Sequence, residues 1–348
     1  MTAVVTQPSR RQLIEAATSR LGSGPEARWI VEDALARDGS AIDGPPLDRS
    51  LSALGLDEPV PPSVSRRVAS LVSRRQAGEP LQYILGRWPF RTIELAVDRR
   101  VLIPRPETEQ VVEVALAALQ RATVDRIGTP ARAQPLVAVD LGTGSGAIAL
   151  SLAVEGGGRH AGLDVWATDS SLDALDVARA NLKSLQAARS APAVPIGARV
   201  PAATALPSAT AVAPATEHDP LDRVRLVQGV WFAALPASLM GTIDLVVSNP
   251  PYVSAAEYPE LDPVVRDWEP ESALVARSAS DGSAGLADIE TIIADAPRWL
   301  TSGGAAVIEL APHQAEAALS MAQRSGFANV RVEPDLAGRP RVLVAARR

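Results

Sequence analysis

Leu136-Val137-Ala138-Val139-Asp140-Leu141-Gly142-Thr143-Gly144-Ser145-Gly146-Ala147 is the stretch from which the fold can be read. Leu136 to Asp140 has the length and apolar character of a buried strand. The glycines that follow let the backbone turn sharply and come close to a ligand. Ala147-Ile148-Ala149-Leu150-Ser151-Leu152 then opens a helix, whose first N–H groups have no partner inside it. A second unit comes next: strand Asp164-Val165-Trp166-Ala167-Thr168, then Asp169 and a helix through Lys183. Short apolar strands alternating with helices predict a parallel sheet covered on both faces, an α/β Rossmann-like fold.

The glycine loop alone leaves the ligand open. Gly142-x-Gly144-x-x-Ala147 also fits the dinucleotide fingerprint, and Asp169 suits ribose hydroxyls in either case. NAD and S-adenosylmethionine (SAM) therefore both stand at this point. The strand Ile243-Asp244-Leu245-Val246-Val247-Ser248 separates them, because it runs into Asn249-Pro250-Pro251-Tyr252. The Asn side-chain oxygen and the carbonyl of the first Pro can accept both N–H bonds of a planar amide or amino group, and the Tyr ring can cover its face. Two prolines fix φ and bring no N–H donors, so the loop is stiff. An isolated Asn-Pro would read as a simple turn. Beside a nucleotide-type loop, the tetrapeptide points to methyl transfer onto nitrogen, with SAM as donor. Trp231 reads equally well as a core residue or as a neighbour of the adenine.

Further along, a helix near Leu286–Ala296, strand Ala305–Leu310, helix Gln314–Ser325 and strands Asn329–Glu333 and Arg341–Ala345 complete a seven-stranded sheet with a final antiparallel hairpin. Residues 1–78 show apolar residues at helix spacing, as in Ala27-Arg28-Trp29-Ile30-Val31 and Ser63–Val72, and predict a small helical domain, either a stabilising appendage or, as the family resemblance given below implies, a substrate-docking domain. Residues 79–106 alternate around Trp88, Phe90, Ile93, Leu95 and Val97, which suggests a β-hairpin connector. Residues 107–348 form the expected SAM-dependent domain. Within it, 184–222 degenerates into Ala, Pro, Ser, Thr and Val, the composition of a flexible insertion.

Composition narrows the classes. The 348 residues, 47% of them hydrophobic, suffice for two domains with real cores. There is no cysteine, which excludes disulfides and thiolate chemistry. His160, His218 and His313 have no metal-ligand spacing, so no metal is expected. The net charge of −6 argues against generic duplex binding, which needs many neutralised phosphates. The first residues read neither as a signal peptide nor as a membrane span, and a cytoplasmic monomer is expected.

Pro80-Leu81-Gln82-Tyr83-Ile84-Leu85-Gly86, Val101-Leu102-Ile103-Pro104-Arg105-Pro106-Glu107-Thr108-Glu109, the glycine loop, Asn249–Tyr252 and Asp335-Leu336-Ala337-Gly338-Arg339-Pro340-Arg341 together resemble the release-factor glutamine methyltransferases, the HemK/PrmC family. The resemblance implies N5-methylation of the Gln in the Gly-Gly-Gln motif of peptide-chain release factors. It implies that Gly142, Thr143, Gly144, Ser145, Gly146 and Asp169 hold SAM, with Trp231 beside the adenine and Asn249 bordering the cofactor. Asn249 and Pro250 would accept the target amide hydrogens, with Pro251 and Tyr252 completing the substrate contact. Val230 stands where many relatives carry an acid, and both Ser280–Leu286 and Glu309–Gln314 match only in part. Pro106 and Glu107 suit a helix start, with acid near its positive end, and Arg105 is expected to neutralise a carboxylate or support the connector. A nucleic-acid amino (N6-adenine or N2-guanine) methyltransferase could use the same tetrapeptide. A non-enzymatic SAM-fold interaction protein is a third reading, which the intact loop, Asp169 and Asn249–Tyr252 oppose.

Overall fold

The computed structural model describes residues 7–37, 55–157, 162–190, 219–277 and 285–348. The chain divides into two compact units, residues 1–87 with 262–268 and residues 88–261 with 269–348.

In the first unit, α1 (Arg10–Leu21), α2 (Gly24–Ala36) and α3 (Pro62–Gln76) pack on one another, and a short α4 (Leu81–Leu85) follows. Their starts are written locally. Ser9 and Gln12 close a reciprocal capping box, Ser23 Oγ accepts from Glu26 N, and Pro62 sits at a first-turn position that needs no N–H donor. Ile30, Val31, Ala34 and Leu35 of α2 are buried, as are Val64, Val68, Leu71 and Val72 of α3, each set on one helical face. Asp33 is buried too, with Arg37 at 3.0 Å and Arg87 at 3.3 Å.

The second unit carries the chemistry. The hairpin of β1 (Arg87–Phe90) and β2 (Ile93–Ala96) turns through Arg91, whose φ is 50°. The Arg91 guanidinium donates to both oxygens of Glu155 at 2.7 Å and to Glu113 at 2.8 Å. After α5 (Pro106–Asp125) come β3 (Leu136–Leu141), α6 (Ala147–Gly156), β4 (Leu163–Asp169), α7 (Leu172–Ser190) and β5 (Val224–Gln228). They are followed by β6 (Ile243–Ser248), α8 (Ala287–Trp299), β7 (Leu300–Glu309), α9 (Ala315–Arg324), β8 (Asn329–Pro334) and β9 (Pro340–Ala346). The sheet order is β5-β4-β3-β6-β7-β9-β8, parallel except that β9 runs against both β7 and β8. This is the seven-stranded Rossmann-like sheet with a final antiparallel hairpin expected from the alternation, and the class I methyltransferase arrangement that the family resemblance implies.

Every residue of β6 is buried, including Asp244, because helices cover both faces. Asp244 accepts from Val137 N at 2.8 Å and from Arg126 Nη2 at 2.5 Å, so the buried charge is satisfied. One core runs from Val139 and Leu141 through Ile289, Ile292 and Ile293 to Ile308 and Leu343, with Phe232 stacked on Trp299 at 5.5 Å.

Three boundaries differ from expectation. Residues 79–87 fall in the first unit and Leu81–Leu85 is helix, so the expected connector supplies hairpin strands only from Arg87 onward. α7 continues past Lys183 to Ser190, held by Gln186 on Asp222 and Arg189 on Asp219, so 184–190 is helix and not loop. At its other end, Asp219 caps a 3-10 turn over Pro220–Arg223, so 219–222 is ordered too, and 191–218 lies outside the described residues. β7 begins at Leu300 rather than Ala305, because Leu300 is buried and pairs with Ile243. Among the described residues, no helix is long and apolar enough to cross a membrane.

The strand order reverses between β3 and β6, and the crevice at the carboxyl ends of strands at such a point is where open α/β sheets bind ligands. The glycine loop, Asp169 and Asn249–Tyr252 all follow strands that end there.

Candidate active site

A cavity of about 540 Å³ opens at this crevice. Gly142, Thr143, Gly144, Ser145, Asp169, Trp231, Asn249 and Pro251 line it. Of the other residues expected there, Gly146 and Pro250 are buried and Tyr252 packs half-buried against the core; none of the three lines this cavity.

The glycine turn is anchored from β4: Gly142 N and Thr143 N both donate to the Thr168 carbonyl, at 2.8 and 2.9 Å. Gly142, at φ 77°, also lies close beneath the indole of Trp231, and a Cβ there would meet Trp231 Cζ3 at 3.2 Å. Asp169 Oδ2 accepts from Gly144 N and Oδ1 from Ser171 N, each at 2.9 Å, so one carboxylate ties the loop to the start of α7. Burial nonetheless pushes the Asp169 carboxyl above its usual range. Asp140, fully buried behind the loop, accepts from Thr143 Oγ1 at 2.7 Å and Ala149 N at 3.2 Å. Desolvation raises its pKa to about 7.

Trp231, against the glycine turn, also lines the cavity and has φ 47°. Its indole Nε1 is buried and has no hydrogen-bond partner among the described residues. The Arg277 guanidinium lies 5.9 Å from its ring and is fixed by Asp288 at 2.6 Å. Val230, 45% exposed, lines the cavity beside it. The indole packs against the core on one side and lines the cavity on the other.

Asn249 is oriented by a chain of bonds that the sequence did not announce. Its Nδ2 donates to Thr108 Oγ1 at 3.1 Å, and that hydroxyl donates to Glu309 Oε2 at 2.7 Å. Glu309, 1% exposed at the end of β7, also lies 3.5 Å from the Tyr252 hydroxyl. Burial lifts the Glu309 pKa to about 7, and burial followed by the Glu309 charge holds the Tyr252 phenol well above its usual range. The backbone of the loop is fixed as well. Gln314 Nε2 donates to the Tyr252 carbonyl at 3.0 Å, and Val253 bridges to the 274–276 segment. A carboxylate closing the apolar run Ala305–Ile308 was the available signal for Glu309; nothing local marked Gln314.

Arg105 pairs with buried Glu269 at 2.5 Å, and Glu269 also accepts from Ile103 N at 3.0 Å. This fits a supporting role for the segment ahead of α5, whose first residue is Pro106. His313 is exposed, 3.7 Å from Glu257.

Known proteins share these features. The family description "PrmC N-terminal domain" matches residues 12–86. A release factor glutamine methyltransferase of Burkholderia pseudomallei (strain K96243) is 37% identical over 281 residues, 81% of this chain and 80% of that protein. One from Bordetella pertussis (strain Tohama I) is 36% identical over 317 residues, 91% and 92% of the two chains. Among solved structures, the protein-(glutamine-N5) methyltransferase (release factor-specific) of Alicyclobacillus acidocaldarius is 23% identical, covering 70% of this chain and 94% of that one, with a TM-score of 0.34. With identity above one third sustained over four fifths of both lengths, and with the glycine loop and Asn249–Tyr252 at the crevice, this chain belongs to the release factor glutamine methyltransferase family.

Proposed function

We propose that this protein transfers the methyl group of SAM to the side-chain amide nitrogen of the Gln in the Gly-Gly-Gln motif of peptide-chain release factors. The observation that carries this is the direction in which Asn249 faces. Because Nδ2 donates to Thr108, the acceptor Oδ1 is the atom left for a ligand, and an incoming primary amide brings donors.

The residues present fit SAM. The Asp169 carboxylate accepts backbone N–H bonds from Gly144, Ser170 and Ser171 and lines the cavity, with acceptor capacity left for a ribose hydroxyl. The flat indole of Trp231, packed on Gly142, lines the cavity and offers a surface suited to a purine. Trp231 Nε1 is an orphaned donor on that wall. When bound, SAM supplies an electrophilic sulfonium methyl.

An amide nitrogen is a poor nucleophile, since its lone pair is delocalised into the carbonyl. Asn249 Oδ1 and the Pro250 carbonyl accept its two N–H bonds and so fix the plane of the group. Tyr252 packs on that plane, and Pro251 limits its sideways freedom. Positioning of this kind can supply up to roughly 7–11 kcal/mol in the best intramolecular cases. Among the described residues none is assigned as a general base at the nitrogen, and the proton leaves to water.

The test is incubation of the protein with labelled SAM and a release factor, its Gly-Gly-Gln Gln→Ala variant, and bulk RNA and DNA. Label on the wild-type factor alone is expected; label confined to nucleic acid would replace this reading with the amino-methyltransferase one. Asn249→Ala should lower turnover at least about a hundredfold while calorimetry shows SAM affinity near that of wild type.

A further inference from the structure

Thr108, Asn249 and Glu309 come from three distant parts of the sequence and meet in one directional chain. A hydroxyl has a single proton, and an ionised carboxylate can only accept. With Thr108 committed to Glu309, its oxygen can only accept from Asn249, which must turn its NH₂ group inward and its Oδ1 toward the cavity. We propose that Glu309 is a positioning residue that sets the orientation of the Asn249 amide through Thr108, and so decides whether the site presents an acceptor or a donor to the substrate nitrogen. The proposal rests on the methyl-transfer reading for its consequence, though not for its geometry.

Reversing the chain shows what is at stake. If Glu309 carries a proton it can donate to Thr108, and the hydroxyl can then donate to Asn249. The amide rotates by half a turn and faces the substrate with NH₂. Two donors then oppose each other, and the substrate amide loses the bond that holds its plane. Nothing else needs to move, because the side-chain amide is nearly symmetric in shape.

The surroundings of Glu309 make both states accessible. From α5 come Thr108 and the acidic Glu107; from the loop after β6 comes the Tyr252 phenol, 3.5 Å away; from β9 comes the Arg341 guanidinium. Arg341 and the two hydroxyls favour the charged form, while burial, followed by Glu107, opposes it, so the group titrates close to neutrality. The wild-type rate should therefore rise with pH through an inflection near 7, as the carboxylate forms and the acceptor orientation takes over.

The decisive variants are Glu309→Gln, which preserves shape and removes the obligatory acceptor, and the pair Thr108→Val and Thr108→Ser. In Glu309→Gln and Thr108→Val, kcat should fall about tenfold to a hundredfold, with SAM affinity unchanged and the limb near pH 7 abolished. Thr108→Ser should restore both rate and limb. A purely structural role would instead lower stability and cofactor binding and leave the pH profile in place. A second readout needs no turnover. The Asn249 side-chain ¹⁵N amide resonance, assigned by its loss in Asn249→Asp, should titrate near pH 7 in wild type and cease to do so in Glu309→Gln and Thr108→Val. Should that resonance be indifferent to pH and to both substitutions, the proposal is overturned whatever the enzyme methylates. Wild-type kcat with an unchanged limb in Glu309→Gln would overturn it equally. A titrating resonance in a protein inert toward release factors would uphold the relay and reject the assigned substrate.

Discussion

Asn181 Nδ2 donates to the carbonyl of Ser145 at 2.8 Å, joining the middle of α7 to the glycine turn. The same side chain binds β2, accepting from Ala96 N at 2.7 Å and donating to Ala96 O at 3.1 Å. One buried amide thus holds the hairpin and the cofactor loop in register. Replacing it with Leu removes the partner of three backbone groups, and the buried Ser145 carbonyl among them costs about 1–3 kcal/mol when left unpaired. Asn181→Leu is expected to lower the urea midpoint and weaken SAM binding about tenfold, both measurable on the purified protein. Full retention of SAM affinity would show that Ser145 is held well enough by its neighbours.

Gly285 is close-packed against the active-site loop. A Cβ at this position would lie 2.1 Å from the Tyr252 carbonyl oxygen and 2.7 Å from Gln314 Nε2, on a backbone whose φ is 75°. The obstruction is backbone, which cannot rotate away as a side-chain end can. Gly285→Ala should therefore break the Gln314–Tyr252 bond, shift the loop and cut kcat by more than about tenfold. A thermal melt should show a loss of roughly 2–4 kcal/mol, whereas wild-type values in both assays would mean that the 285 turn yields freely.

Tyr252 separates ring from hydroxyl. Its O–H lies 3.5 Å from Glu309, at the long limit for a hydrogen bond, while its ring packs against the core. Tyr252→Phe should keep most of the rate, within about threefold, and Tyr252→Ala should lose about a hundredfold through the acceptor rather than the cofactor. Steady-state kinetics on both variants decide the matter; equal losses would transfer the role to the hydroxyl.

Asp140 makes stability depend on pH. Its pKa in the folded protein is raised to about 7 by burial, above the ordinary value of 3.8. Between those values the folded state binds more protons than the unfolded one, so stability is full below the unfolded pKa and falls as pH rises through about 7. The effect is at most a few kcal/mol, since a tenfold change in proton affinity corresponds to roughly 1.4 kcal/mol. In Asp140→Asn the carbonyl still accepts from Thr143 and Ala149, yet nothing titrates. Urea midpoints at pH 5 and pH 8.5 should differ less in the variant than in wild type. Glu309 is raised in the same direction, so some slope will remain. Identical slopes would place the wild-type dependence elsewhere.

Sequence alone determined the alternation of strand and helix, the glycine turn after Asp140, Asp169 at the next strand end, and the stiff Asn249–Tyr252 loop, because strand length, φ freedom and ring rigidity are local properties. Trp231 could not be assigned from its neighbours, since its contacts with Gly142 and Arg277 cross between loops. Only the tertiary structure decided which way Asn249 faces. That orientation depends on Thr108 at the start of α5, 141 residues from Asn249, and on Glu309 at the end of β7, 201 residues from Thr108. The same holds for Asn181 at Ser145 and Gln314 at Tyr252, where a hydrogen bond specifies a partner by position in space and leaves no periodicity in the chain.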